Sequence, residues 1–367
     1  MKTKTIFKCL IILILCISVN PANSQTWAPV AEGVEGSVVT LAAYKAAVVA
    51  GGYFTNEEGE APFGLATFNG THWQNLGKGL NNSASVATLF IYKGNLCAGG
   101  LFDSAGGVAA KGIAQWNGSA WSPLVNSLGI DNELYALTEY KGSLYLGGDF
   151  NSPAGAKARS IAKLNGSNCE GLGTGIQGFV GIVETMVEYK GNLYAGGVFN
   201  GAGDAIGYGI AMWDGVKWTI PGNGMNDGAE VKCLTVYKGN LYAGGKFMTA
   251  DGKTVGNMAQ WNGVAWTAVG GGIDTAGSVM TMLVSNDILY VGGRFKTAGG
   301  AQAACLAQWN GTSWNGMIRK ILRHEDSEPA IRSLLELGGD LYVGGDFTSI
   351  EGVKANNIAK MRLKQVK

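Results

Sequence analysis

The segment Val231-Lys-Cys-Leu-Thr-Val-Tyr-Lys-Gly-Asn-Leu-Tyr-Ala-Gly-Gly-Lys-Phe247 decides the fold, because variants of it recur along the whole chain. Its anchor is Gly-Gly-x-Phe, and the Phe stands at positions 54, 102, 150, 199, 247, 295 and 347. The steps between these positions are 48, 48, 49, 48, 48 and 52 residues. Seven similar units in succession indicate a repeat architecture.

Each unit contains four short strand patterns. The apolar stretch 231–237 leads through a Lys-Gly turn into 240–247, and another unit shows the third strand as Gly112-Ile-Ala-Gln-Trp116 and a fourth around Trp121. Asn117-Gly118 between these two strands favours a tight hairpin, because both residues accept a positive φ. No segment sustains the apolar period of a helix. The sequence therefore predicts an all-β, seven-bladed β-propeller of four-stranded antiparallel blades.

The ring of blades is predicted to close through the N-terminus. The seventh unit passes through Asn357-Ile-Ala-Lys-Met361 without the Trp-bearing fourth strand of its predecessors. Trp27-Ala-Pro-Val-Ala-Glu-Gly-Val34 aligns with Trp73-Gln-Asn-Leu-Gly-Lys-Gly-Leu80 at the end of the first unit. We therefore expect strand 25–34 to pair into the blade formed by 330–367, which leaves no long unpaired sheet edge. The propeller domain would then cover residues 25–367.

The first residues have the pattern of an export signal. Lys2, Lys4 and Lys8 precede an apolar stretch, Cys9 to Val19, and Ala22-Asn23-Ser24 supplies small residues for cleavage. We predict a signal peptide over residues 1–24, with cleavage near Ser24/Gln25. The product is expected to be secreted or extracytoplasmic, in the periplasm or at the cell surface.

Charge and length restrict the partners. The 28 Lys and Arg lose three lysines with the signal, so 25 cations face 27 Asp and Glu, a net charge of −2. Without a dense basic run, nucleic acid is a poor candidate partner. The apolar stretch of the signal is shorter than the ~20 residues of a membrane span, and no later segment exceeds it, so no integral membrane segment is predicted. A closed ring needs no partner to bury an edge, and we expect a monomer.

The cysteines and tryptophans of the repeats have structural explanations. Cys97, Cys169, Cys233 and Cys305 each belong to a different unit and form no CxxC motif, which favours buried free thiols over a disulfide framework. Trp residues recur in nearly every unit, so we attribute them to packing rather than to stacking on sugars. They stand at positions 73, 116, 121, 213, 218, 261, 266, 309 and 314.

Leu-Tyr-Ala-Gly-Gly, followed some twenty residues later by Trp-Asn-Gly-x-x-Trp, resembles the kelch repeat of β-propellers. The pattern is also similar to Gly-Gly-x-Phe repeat propellers of secreted bacterial proteins and some fungal cell-surface polarity proteins. It departs from kelch in the Phe after the double Gly and in the extra Trp before Asn-Gly. The resemblance implies an architecture used mostly for binding, with a minority of enzymes.

Candidate ligand contacts lie on one face of the predicted disc. The tight turns share one face, so the longer loops after each Gly-Gly-x-Phe and between blades share the other, the long-loop face. The residue before each Phe varies between blades and is predicted to ring the rim of the channel, although a solvated rim with local ion pairs would give the same pattern. The polar candidates in this ring are Asp149, Lys246, Arg294 and Asp346.

The longest step, between Phe295 and Phe347, adds residues in the charged loop 319–328 between the last two blades. This loop is either a partner-binding segment or merely solvated. Its candidate ligand-binding residues are Arg319, Arg323, His324, Glu325 and Asp326.

The sequence predicts binding rather than catalysis. His72 and His324, the chain's two histidines, are expected on opposite faces, so we predict no metal site, and no motif indicates a cofactor. No catalytic residues are assigned. We therefore expect a non-enzymatic extracytoplasmic module that binds a protein or glycan through its long-loop face. The alternative is a carbohydrate-active hydrolase or lyase that uses rim carboxylates such as Asp149 and Asp346. A scaffold without its own ligand is a third possibility.

Overall fold

The chain folds as an all-β propeller. The computed structural model describes residues 26–55, 64–81, 84–124, 133–151, 159–166, 168–178, 180–323 and 327–364. This part of the chain contains seven four-stranded antiparallel sheets and no helix. The innermost strands of successive sheets contact one another, and the last contacts the first, so the seven blades form a closed ring.

Each blade runs outward from the channel in the order of its strands, except that the last blade takes its outer strand from the N-terminus. The inner strands are Glu35–Tyr44, Ser85–Tyr92, Leu134–Tyr140, Ile182–Tyr189, Glu230–Tyr237, Ser278–Ser285 and Ala330–Leu337. The second strands are Ala47–Thr55, Asn95–Leu101, Ser143–Asn151, Asn192–Val198, Asn240–Lys246, Ile288–Arg294 and Asp340–Asp346. The third strands are Leu65–Phe68, Ile113–Trp116, Arg159–Asn165, Ile210–Trp213, Met258–Trp261, Leu306–Trp309 and Ile358–Arg362. The outer strands are Trp73–Gln74, Trp121–Pro123, Asn168–Gly171, Trp218–Thr219, Trp266–Ala268, Trp314–Gly316 and, for blade 7, Trp27–Pro29.

The loops between second and third strands contain small hairpins that lie outside the four strands predicted for each blade. Their paired strands are Ser104–Ala105 with Val108–Ala109, Gly201–Ala202 with Ala205–Ile206, Thr249–Ala250 with Lys253–Thr254, Thr297–Ala298 with Ala301–Gln302, and Ser349–Ile350 with Val353–Lys354. Two linker strands, Ile176–Gln177 and Ile321–Leu322, add to these hairpins from the preceding linkers. The long-loop face is therefore ordered by its own backbone pairing wherever these hairpins occur.

The closure of the ring is visible as backbone pairing. Trp27 lies opposite Met361, and Pro29 lies opposite Ala359, so the N-terminal strand is the outer strand of blade 7. Trp27 is 7% exposed and packs in the same core cluster as Met361. The chain closes the ring with strands from both ends.

The double glycine of each repeat is required by two close approaches. A Cβ on Gly244 would lie 2.5 Å from Cγ1 of Val279 in the next blade. A Cβ on Gly245 would collide with the carbonyl oxygen of Glu230, in the inner strand of the same blade. The first glycine thus permits close blade packing, and the second permits close approach of two backbones.

The repeated aromatic residues join neighbouring blades. Trp121 Nε1 donates to the carbonyl of Leu76 at 2.7 Å, and Trp266 Nε1 donates to the carbonyl of Pro221 at 3.0 Å, in each case in the linker from the preceding blade. Tyr140 Oη donates to the carbonyl of Gly191 in the following blade at 2.9 Å. These buried contacts agree with the structural role expected for the tryptophans.

All four cysteines of the propeller are buried and unpaired, which confirms the expectation of buried free thiols. In the described part of the chain, no helix is long and apolar enough to cross a membrane.

Candidate binding site in the central channel

Every inner strand carries one bulged residue. In blade 1, Val38 lies opposite Gly52 and Thr40 lies opposite Gly51, so Val39 has no partner in the ladder. The same shift in register occurs at the equivalent point of the other six inner strands. A bulge bends the strand and re-aims the extra side chain. The bulged residues are Val39, Ala87, Tyr135, Glu184, Lys232, Met280 and Arg332.

These seven residues, together with Tyr53, line one cavity of about 280 Å³. Because each belongs to a different inner strand of the closed ring, the cavity lies in the central channel. We call it the channel cavity. The bulged residues of blades 3, 4 and 5 are polar, whereas those of blades 1, 2 and 6 are apolar. The cavity therefore has one polar and one apolar side, with the charged Arg332 between the apolar residues of blades 6 and 1.

A ring of Leu and Met follows two residues after the bulges, towards the tight-turn face. Each member is buried or half-buried. The ring consists of Leu41, Leu89, Leu137, Met186, Leu234, Met282 and Leu334. Those of blades 1, 3, 4 and 7 are buried in the hydrophobic core clusters of the blades.

Lys232 holds two carboxylates at the polar side of the cavity. Its Nζ lies 3.0 Å from Oε2 of Glu230 and 3.4 Å from Oε2 of Glu184. Burial raises the pKa of Glu184, and the neighbouring Lys232 only partly opposes this effect. Burial also disfavours the charged form of Lys232, but the two carboxylates outweigh it and raise its pKa. Lys232 therefore stays cationic while Glu184 bears the cost of desolvation.

A network of hydrogen-bonded side chains connects blades 1, 2 and 3 near the long-loop face. Tyr53 Oη donates to Oε1 of Glu133 at 2.7 Å, and Ser85 Oγ donates to the same oxygen at 3.2 Å. Burial, followed by the contact with Glu133, raises the pKa of Tyr53 to about 12. Burial and Glu133 also raise the pKa of Tyr135. Both phenols are neutral at physiological pH and present hydroxyl groups beside a carboxylate.

In blade 7, the buried carboxylate of Asp346 positions the guanidinium of Arg332, one of the two cations of the cavity. Asp346 is 1% exposed, and its Oδ2 accepts a hydrogen bond from Nε of Arg332 at 2.8 Å. Arg323 Nη1 lies 4.0 Å from the same oxygen. Asp346 Oδ1 has no hydrogen-bond partner in the described part of the protein. The buried Asp346 therefore holds the Arg332 guanidinium in place, and the Arg332 side chain remains one-third exposed.

The predicted rim ring does not line the cavity. Of the seven residues that precede the repeated Phe, only Tyr53 belongs to its wall. Asp346 is buried behind Arg332, Asp149 lies near enough to Tyr135 to raise its pKa, and Lys246 is exposed. These residues belong to the second strand, and the inner strand stands between that strand and the channel axis.

The candidate residues of the charged loop 319–328 lie in different surroundings. Arg319 lines a second cavity together with Arg294 from the predicted rim, and Arg323 approaches Asp346. His324, Glu325 and Asp326 lie outside the described residues. No cluster of three His, Cys, Asp or Glu side chains that would suit a metal ion occurs among the residues that the structure describes.

The bulged residues also have a signature in the sequence. Each stands 15 residues before the Phe of its repeat, between an apolar residue and a small one. Val-Glu-Thr, Val-Lys-Cys and Ile-Arg-Ser at 183–185, 231–233 and 331–333 place a charge directly after a buried apolar residue. A charge at a fixed repeat position in a buried strand was the available signal.

Comparisons with known proteins concern the fold. No family model matches the chain, and no curated protein sequence matches it. Among solved structures, the extracellular domain of a putative hybrid two-component system from B. thetaiotaomicron has a TM-score of 0.62 at 13% identity and covers 94% of this chain. A GH74 xyloglucanase from Xanthomonas campestris has a TM-score of 0.53 at 14% identity and covers 89% of the chain, and the computationally designed Ika8 protein has 0.51 at 14% and covers 91%. This chain spans 40%, 53% and 98% of those three chains, respectively. At such identities the likeness concerns the β-propeller fold alone.

Proposed function

We propose that this protein is a non-enzymatic extracytoplasmic binding propeller that recognises a protein or glycan at the long-loop mouth of the central channel. One observation carries the proposal: all seven blades aim their bulged residue into one cavity, yet those seven residues are all different. The frame around them repeats, whereas the cavity residues do not. Residues that serve only the frame are expected to recur from blade to blade, as the tryptophans do in nearly every blade.

The cavity suits a ligand group with both apolar and hydroxyl-bearing surfaces. Val39, Ala87 and Met280 offer an apolar side, while Tyr135 and Glu184 offer hydrogen-bonding groups opposite. Binding sites of this kind combine apolar walls with a few placed polar groups. A sugar ring, or a polar side chain at the tip of a protein loop, has this division of surface.

A carbohydrate-active hydrolase or lyase is the second candidate, because the raised pKa of Glu184 is a property of general acids. Glycosidases use a pair of carboxyl groups that act on the substrate. Here Glu184 and Glu230 both engage Lys232. Carboxylates held by a shared cation favour a binding role for this side of the cavity. Hydrolysis of oligosaccharides by the wild type, abolished in Glu184→Gln, would reverse this preference.

The binding proposal is tested by filling the cavity. Ala87→Phe adds a ring at a bulged position, whereas Ala43→Phe adds the same ring on a neighbouring inner strand near the tight-turn face. Wild type and both variants are applied to glycan and peptide arrays. We expect A87F to lower capture at least about 10-fold and A43F to retain it, because only the first occupies the cavity. An equal loss in both variants would contradict a site in the channel cavity.

The remaining sequence-based assignments stay proposals. The kelch-like character of the repeats rests on Leu-Tyr-Ala-Gly-Gly and Trp-Asn-Gly, and export rests on residues 1–24. N-terminal sequencing of the exported protein tests the second assignment, with Gln25 as the expected first residue. The predicted domain limits, 25–367, follow from the same cleavage.

A further inference from the structure

A second cavity lies at the junction of blades 6 and 7, apart from the channel cavity. Its volume is about 330 Å³, and we call it the junction pocket. Blade 6 contributes Arg294 and Lys296, and the linker to blade 7 contributes Arg319 and Lys320. None of the residues that line the channel cavity lines this pocket. It is a separate candidate site.

The four cations of the junction pocket have no ion-pair partner within 4.0 Å among the described residues. The nearby carboxylates are used by the backbone instead. Asp274 Oδ2 accepts the amides of Lys296 and Thr297 at 2.6 and 2.9 Å. Glu351 Oε1 accepts the amides of Arg319 and Lys320 at 2.5 and 2.8 Å. The lining therefore carries four cationic side chains against two carboxylates, Asp274 and the exposed Glu328.

Arg294 gives the pocket a buried donor without an acceptor. Its side chain is half-buried, and its Nε is inaccessible to solvent and has no hydrogen-bond partner in the described structure. A buried donor on a charged group is costly when it is unsatisfied. An anionic ligand bound by the rest of the guanidinium would offset part of this cost, and a carboxylate matches the fork of an Arg side chain.

The remainder of the pocket wall is apolar. Phe295, Cys305, Ile321 and Pro329 line it. Burial raises the pKa of Cys305 to about 11, and its Sγ lies 3.4 Å from the carbonyl oxygen of Pro329. The thiol therefore remains protonated at physiological pH and belongs to the wall. A ligand that fits this wall has a compact apolar body beside its charge.

We propose that the junction pocket binds a carboxylate carried on a compact apolar body, with Arg294 and Arg319 as its principal contacts. Two sources share this chemistry: a free organic acid, and the C-terminal residue of a peptide that ends in an apolar side chain. The pocket is independent of the channel cavity, so this assignment does not depend on the function proposed above.

Calorimetric titration of the mature protein tests the proposal with phenylacetate and with a short peptide that ends in Phe. Phenylacetamide and the amidated peptide are the uncharged controls. We expect at least one carboxylate probe to bind at least about 10-fold more tightly than its amide. Preference for phenylacetate would indicate a free acid, and preference for the peptide would indicate a chain terminus. Equal binding of acid and amide, or no binding of either acid at about 10 mM, overturns the proposal.

A matched pair of variants locates the binding. Arg294→Gln and Lys246→Gln remove one positive charge from the same position of neighbouring repeats. R294Q is expected to lower the affinity at least about 10-fold, whereas K246Q should leave it unchanged. An equal loss in both would show a general charge effect and overturn the site. If R294Q does not fold, the exposed Arg319→Gln replaces it. A87F should leave this binding unchanged, which separates failure of the junction pocket from failure of the channel cavity.

Discussion

At the scale of single residues, the bulged position of each inner strand decides what the channel contains. Flanking residues such as Val183 and Thr185 belong to the ladder, whereas Glu184 between them is free of it and lines the cavity. The side chain of a ladder residue in a buried strand must pack against neighbouring strands and blades. The side chain of the bulged residue lines the cavity instead, so it can carry a charge. The residue at this position can therefore vary without changing the frame.

Glu184→Gln tests the electrostatics of the channel cavity. The pKa of Glu184 is raised, so its contribution to stability is present below the unfolded pKa and is lost as the pH rises through the folded pKa. At pH 7 the wild type is therefore penalised, and Lys232 keeps Glu230 as a partner in the variant. We expect E184Q to raise the free energy of unfolding by up to about 1 kcal/mol at pH 7, measured by urea denaturation.

This advantage should shrink when the measurement is repeated at pH 4, where the wild-type carboxyl is closer to neutral. Glu188→Gln, in the same strand but exposed, is the control and should change stability little at either pH. A clear loss of stability in E184Q at pH 7 would mean that the ion pair with Lys232 outweighs the cost of burial.

At the scale of elements, the turn between the inner and second strands is the most regular feature. Lys93 and Gly94 have φ of 48° and 79°, and the turn in blade 1 repeats this with Lys45 at 47° and Ala46 at 63°. Two residues with positive φ match the twist of the flanking strands. Ala46 adopts a conformation that five of the other blades assign to glycine, and it carries a conformational strain that Gly94 avoids.

Ala46→Gly should raise the free energy of unfolding by about 1 kcal/mol, because it removes the clash of Cβ with the backbone. Gly94→Ala makes the reverse change in the next blade and should lower it by a similar amount. Urea or thermal unfolding of both variants measures the pair. If both substitutions shift stability in the same direction, turn strain is not the cause.

At the scale of the whole molecule, the propeller depends on ring closure. The strand Trp27–Pro29 is nearly a full chain length from the strand Ile358–Arg362 with which it pairs. Without it, blade 7 would expose the edge of its third strand, and unpaired edges promote association. Blades 1 and 7 also contact each other through their inner strands, and the N-terminal pairing adds a backbone ladder to that contact.

Removing residues 25–30 from the mature chain should lower the unfolding midpoint and produce larger species in size-exclusion chromatography. Trp27→Ala, which empties a buried site but retains the strand, should cost about 3–5 kcal/mol and lie between wild type and truncation. Six Gly and Ser residues added before Gln25 serve as the control. A truncated chain with the wild-type midpoint would show that closure contributes no stability.

The sequence by itself determined the repeat, the four strands of each blade and the pairing of the two ends. These features follow from local chemistry, such as the Lys-Gly and Asn-Gly turns, and from the spacing of the repeated Phe. Those signals act over about fifty residues or fewer, so they can be recognised without knowledge of the ring. The absence of helices from the described residues and the propeller fold confirm this part of the prediction.

Only the tertiary structure decided which side chains meet. Tyr53 and Glu133 are 80 residues apart and belong to blades 1 and 3, yet they share a hydrogen bond at the mouth of the channel. The rim candidates Asp149, Lys246, Arg294 and Asp346 have equivalent places in the repeat but differ in their surroundings. The position of a residue in the repeat determines where it lies along its strand. A bulge determines where its side chain points, and closure of the ring determines which residues of other blades lie next to it. The channel cavity is therefore a property of the assembled ring.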